Sequence, residues 1–138
     1  YKVKVLIGRF DDAVAPIVDD ITNVSYFDVR LGAGKHFQYG LPAEHNSFLY
    51  VFEGSGQFNR QTIPSNTLIE LGAEDNAPDF IAGEQGARFL LVSGKPISEP
   101  VVQYGPFVMN SREEIDEAMR DYQSNNFVRD RAWIRREK

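Results

Sequence analysis

The sequence predicts an all-β domain, an antiparallel sandwich or barrel, closed by one C-terminal helix. Three observations carry this. Hydrophobic residues recur with period two in short runs; glycine- and proline-containing turns separate those runs; and the pattern changes to helical spacing once, near residue 111. The composition agrees: 138 residues with eleven Gly, seven Pro, ten Phe, six Tyr and one Trp suit many short strands more than long helices.

The first strand is expected over residues 2 to 8 (KVKVLIG), where Lys2 and Lys4 alternate with Val3, Val5 and Ile7. Residues 24 to 31 repeat the alternation, with Phe27, Val29 and Leu31 on one face and Tyr26, Asp28 and Arg30 on the other. Further strands are expected at 36 to 39, 47 to 53, 56 to 60, 66 to 71, 79 to 82 and 87 to 93. Turns are read at Gly32-Ala-Gly34, Gly40-Leu-Pro42, Gly54-Ser-Gly56, Pro64-Ser-Asn66 and Asn76-Ala-Pro78. The expected inward set is Phe27, Val29, Leu31, Leu49, Val51, Leu68, Leu90 and Val92. From Ser111, SREEIDEAMRDYQ sets Ile115, Ala118, Met119 and Tyr122 on one helical stripe, and Ser111 with Glu114 forms a capping box. The expected organisation is one domain, with the roll over 1–110 and a helix packed on it over 111–127, followed by a basic tail at 128–138.

Charge narrows the partners. The net charge is −5, and residues 128 to 138 hold five Lys/Arg against two Asp/Glu, which leaves −8 on the preceding body. Such a body argues against general nucleic-acid binding, which rests on cations neutralising phosphates. No apolar run approaches a membrane span and no secretory h-region is present. Without cysteine there is neither a disulfide framework nor a thiolate metal site, and a cytoplasmic location is expected. The chain begins at Tyr1 and runs straight into a strand, which suggests a piece of something longer.

No phosphate-cradling loop, HExxH or GxSxG is present, and no Ser is marked as a nucleophile. The informative stretch is GAGKHFQYGLPAEHNSFLYVFEGSG, residues 32 to 56, whose Tyr50-Val51-Phe52-Glu53-Gly54 resembles the end of the first cupin motif. In that resemblance the ligating Glu falls at Ser47. The two His fall at Leu41 and Ala43, or at Gly40 and Pro42 in the longer spacing. The second motif aligns near Leu71-Gly72, with Asp75 where the family has its fourth ligand. The resemblance therefore implies a cupin jelly roll whose usual metal positions have lost their ligands. The alternative metal set drawn from the sequence itself is His36 and His45 with Glu44 or Glu53, a two-His, one-carboxylate face of the kind that holds non-haem iron. Against it, two His are the minimum for such a face, their spacing is not the family's, a His near a turn is commonplace, and a glutamate such as Glu53 is more often a solvated strand end than a general base.

Residues 91 to 127 add LVSGKPISEP, QYGPFVMN and the helix EEIDEAMRDYQ, which closely resemble the C-terminal part of the pirin family; with Leu41 to His45 and Leu49 to Gly54 the resemblance covers about residue 3 to 127. Pirins are bicupins. The resemblance implies metal, iron or another divalent ion, held by three His and a Glu in an N-terminal half, and a metal-free C-terminal half that this chain matches. It implies quercetin 2,3-dioxygenase activity in some whole members and regulatory binding to protein partners in others. The expectation for this chain is a non-catalytic module that holds no cofactor and packs against an N-terminal cupin half or another protein, with dimerisation open. Two other readings stand beside it: a stand-alone small-ligand binder or metal-dependent dioxygenase using His36 and His45, and an interaction module working through the helix and the basic tail.

Overall fold

The computed structural model describes residues 1–72, 75 and 77–129. The chain divides into two compact units, Tyr1–Ile97 and Ser98–Lys138.

In the first unit the strands are β1 (Lys2–Ile7), β2 (Arg9–Phe10), β3 (Ala13–Val14), β4 (Ser25–Leu31), β5 (His36–Gln38), β6 (Asn46–Phe58), β7 (Gln61–Ile63), β8 (Thr67–Leu71) and β9 (Asp79–Gly94). All pairings are antiparallel. The main sheet runs β1-β4-β9-β6-β7, with β5 added on β9 and β8 on β6, while β2 and β3 form a separate hairpin. This is the all-β jelly roll the sequence predicts. Its walls are built from two long strands. One half of β9 pairs with β4 and with Asn46–Val51 of β6, and its other half pairs with β5 and with Gly56–Phe58 of β6.

That arrangement corrects two expected breaks. Residues 47 to 53 and 56 to 58 belong to one strand, β6, with Asn59 and Arg60 in the turn after it, and 79 to 82 and 87 to 93 belong to another, β9. Gly54-Ser-Gly56 is a bulge and not a turn: the register against β9 slips between Val51 and Glu53 and again between Gly54 and Gly56. The bulge needs glycine at a named place. Gly54 and Gly86 have φ of +73° and +80°, Gly54 lies against the Gly86 backbone, and a Cβ on Gly86 would stand 2.5 Å from the Leu31 carbonyl oxygen. A Gly-Ser-Gly string signals both turns and bulges, so composition alone does not separate them. Asn76 of the expected turn at 76–78 lies outside the described residues.

Cross-strand partners share a face, so the register settles which side chains enter the roll. Phe27, Leu91 and Leu49 form one inward row and Val29, Phe89 and Val51 the next, all fully buried. Phe89 stacks edge-on to Phe37 at 5.5 Å and tilts on Phe80 at 5.0 Å. Five of the eight expected core residues are therefore inside, and three are not: Leu68 is 58% exposed, and Leu90 and Val92 face outward half-buried. The segment Phe89-Leu-Leu-Val92 is apolar on both faces, so alternation cannot choose between them; pairing with Phe27 and Leu49 selects Phe89 and Leu91.

In the second unit, β10 (Val102–Tyr104) and β11 (Phe107–Met109) make a hairpin, and α1 (Arg112–Gln123) packs on it through Ile115 and Ala118 against Phe107, with Met109 and Met119 beside them. The capping box forms as expected: Ser111 Oγ accepts from Glu114 N at 3.3 Å, and Glu114 Oε2 accepts from Ser111 N at 2.9 Å. The end of the stripe differs, since Tyr122 is 64% exposed and meets Phe107 and Phe127 in T-shaped pairs. Of the basic tail, residues 130–138 lie outside the described residues; Arg129 pairs with Asp121 at 2.9 Å. Among the described residues no helix is long and apolar enough to cross a membrane.

Candidate functional site

The site to examine is the mouth of the roll where the cupin resemblance places metal ligands. Leu41, Pro42, Ala43, His45, Ser47, Leu71, Gly72 and Asp75 line one small hollow there, so the fold does bring the counterpart positions together. The hollow measures about 10 Å³. That is the room of a single water, against the several hundred Å³ of an ordinary small-molecule site.

The strands explain what fills it. Ser47 on β6 and Ser93 on β9 are register partners one step beyond the Leu49–Leu91 row, and the same alternation that buries those leucines turns both hydroxyls inward. Ser93 is wholly buried and Ser47 nearly so. Ser47 Oγ donates to Ser93 Oγ at 2.8 Å, and Ser93 Oγ lies 3.0 Å from His45 Nδ1. Ser93 Oγ thus joins the Ser47 hydroxyl and the His45 ring in one continuous chain of hydrogen bonds. No buried side-chain polar atom among the described residues lacks a partner. Across the hollow, Asp75 uses both carboxylate oxygens: Oδ1 accepts from Asn59 Nδ2 at 3.1 Å and Oδ2 from the Gly72 amide at 3.2 Å.

This donor set does not fit a transition metal. Two of the counterpart positions are aliphatic, the third is a hydroxyl tied into a buried chain, and the carboxylate is engaged on both oxygens. The alternative set is not assembled either. His36 sits opposite Ile81 on β9, exposed, with Nδ1 3.4 Å from Asp79 Oδ1, whereas His45 meets Ser93, twelve residues further along that strand. Glu44 is exposed beside His45 in sequence, and Glu53 reaches toward Arg30 and Arg88 at 3.9 Å. Among the described residues no three His, Cys, Asp or Glu side chains are grouped to hold an ion. The residue that sequence reading missed is Ser93. Placing Leu90 and Val92 inward points Ser93 outward, so the same misassigned face hides it; the signal that finds it is its pairing with both Ser25 and Ser47.

Residues 26–128 match the description Pirin C-terminal cupin domain. The chain belongs to the pirin family. This pirin cupin is 44% identical over 128 residues to a Pseudomonas aeruginosa protein named "Putative quercetin 2,3-dioxygenase", covering 88% of the chain and 44% of that protein. It is 40% identical over 117 residues to a pirin-like protein of Solanum lycopersicum, covering 81% of the chain and 40% of that protein. Among solved structures, a quercetin 2,3-dioxygenase from Acinetobacter baumannii superposes with a TM-score of 0.69 at 28% identity, over 91% of this chain and 43% of that one. The pirin cupin thus spans under half the length of the relatives it matches. The family match opens inside β4, so β1 lies ahead of it in sequence although β1 pairs with β4 in the sheet.

Proposed function

We propose that this roll is the metal-free, structural half of a pirin-like bicupin, packing against a metal-bearing N-terminal half and shaping that half's surroundings instead of performing chemistry itself. The observation that carries the reading is the filled mouth of the roll, where Leu41, Ala43 and the Ser47–Ser93–His45 chain occupy the space an ion and its substrate would need. A jelly roll tolerates this because its stability comes from the packed rows of Phe27, Val29, Leu49, Val51, Phe89 and Leu91 and not from coordination. The names carried by the relatives favour quercetin 2,3-dioxygenase-like chemistry for the whole protein; regulatory binding of protein partners is the second role that the pirin resemblance implies. The iron or other divalent ion that such chemistry uses would then sit in the other half. A cytoplasmic location suits the cysteine-free composition.

The test is equilibrium dialysis of the purified chain against iron(II) and nickel(II), with metal counted by mass spectrometry and quercetin consumption followed by absorbance. Retention below about a tenth of an equivalent, with no quercetin turnover, is the expected result. Near one equivalent, lost on His45→Ala, would replace this reading with a stand-alone metal enzyme using His45 and His36.

A further inference from the structure

Strand β1 is an edge of the sheet. Lys2–Ile7 pair with β4 on one side, and among the described residues their backbone makes no hydrogen bond on the other. Its two faces differ: Val3 and Val5 lie half-buried against the core, while Lys2 and Lys4 point outward. Lys2, Arg30 and Arg88 form one outward row across β1, β4 and β9. These three and Lys4 line a hollow of about 640 Å³, to which Val3 and Tyr1 add apolar surface. The acids nearby leave much of that charge unanswered. Asp28 is committed to Arg88, which is also held over the Phe52 ring at 5.1 Å, and Glu53 approaches Arg30 only to 3.9 Å. Asp28 also lines this hollow and stands opposite Lys4 across the ladder, yet among the described residues neither Lys2 nor Lys4 forms an ion pair within 4 Å.

Lysines on an exposed edge ordinarily serve to repel other edges. Arg30 and Arg88 lie on interior strands, where that protection asks for nothing, yet they extend the same cationic row. We propose that β1 accepts an acidic, extended segment of a protein partner by strand addition, with alternate carboxylates over the Lys2–Arg30 row and the intervening aliphatic side chains beside Val3 and Val5. The lysines that attract such a segment repel the same edge of a second copy, so selection and attraction use the same groups. A long polyanion such as nucleic acid is disfavoured by the net charge of −5 on the chain. The inference concerns the outside of the roll and stands or falls separately from the metal-free reading of its mouth.

The test is titration of the isotope-labelled chain with a blocked peptide of about nine residues alternating glutamate and valine, read by amide chemical shifts and hydrogen exchange. Shifts and new amide protection confined to residues 2 to 7 are expected, with affinity falling about tenfold or more in the Lys2→Gln/Lys4→Gln variant, whose fold is checked by an otherwise unchanged amide spectrum. Methylating alternate backbone nitrogens of the peptide should abolish binding. The proposal is overturned by no binding, by equal binding of a peptide with its glutamates and valines in separate blocks, of inorganic phosphate or of a DNA oligonucleotide, or by sedimentation showing the edge already occupied by a second copy.

Discussion

Two neighbouring levels of the roll interior, built on the same two strands, have opposite chemistry. At the level of Val51, Phe89 and Val29, and again at Leu49, Leu91 and Phe27, the inside is dry and held by packing. Two residues on, at Ser47 and Ser93, it is held by a chain of hydrogen bonds that ends on His45. The strands do not change direction between these levels; only the side chains do. A jelly roll can therefore close its mouth with a small satisfied polar cluster while leaving its framework intact, and the framework says nothing about whether an ion was ever held there.

The largest effect is expected at the dry level. Phe89→Ala removes the ring that meets both Phe37 and Phe80, and urea unfolding should show a loss of about 3–5 kcal/mol. A loss under about 1 kcal/mol would mean that this row does not carry the fold. At the polar level, Ser93→Ala strands the Ser47 hydroxyl and His45 Nδ1 together, and about 1–3 kcal/mol should be lost. Ser47→Ala combined with it should cost less than the two alone added, because the variants share one chain of bonds. A neutral or stabilising Ser93→Ala would show the cluster to be mere filling and the two levels to be energetically alike. The smallest effect belongs to the outer face, where pH reads the electrostatics. The Arg88 guanidinium, donating through Nε at 2.8 Å, holds the Asp28 carboxyl below its usual range against the opposing effect of burial, helped by the charges of Arg88, Arg30 and Lys4. A carboxyl lowered in the folded state contributes stability that is fully present above its unfolded value of about 3.9 and is lost as pH falls through the folded value. Melting temperature should thus drop as pH falls below about 4, and Asp28→Asn should flatten that part of the curve.

Much of the roll is legible in the sequence where one face is polar. In residues 2 to 8 and 24 to 31 the lysines, Asp28 and Arg30 mark the outside, and the strands and inward side chains follow at once. The capping box at Ser111 and Glu114 is similarly local, since every partner lies within one helical turn. Legibility fails where the deciding contact is remote in sequence. The inward face of β9 depends on pairing with β4 some sixty residues earlier, as the ladder from Asp28 to Leu90 shows, and the merging of strands across Gly54 depends on its counterpart Gly86. The mouth of the roll inherits the first of these failures. Its outline, Leu41, Ala43, Ser47 and Asp75, follows from the cupin resemblance, but its keystone Ser93 does not.

The facing glycines of β6 and β9 have one more consequence. Because both long strands bend where Gly54 lies against Gly86, each contributes to both walls of the roll, and the walls meet along a shared crease. A hinge common to both sides leaves neither one free to melt by itself, so heat should dismantle the roll in a single step, like a folded card that opens only when its spine gives way.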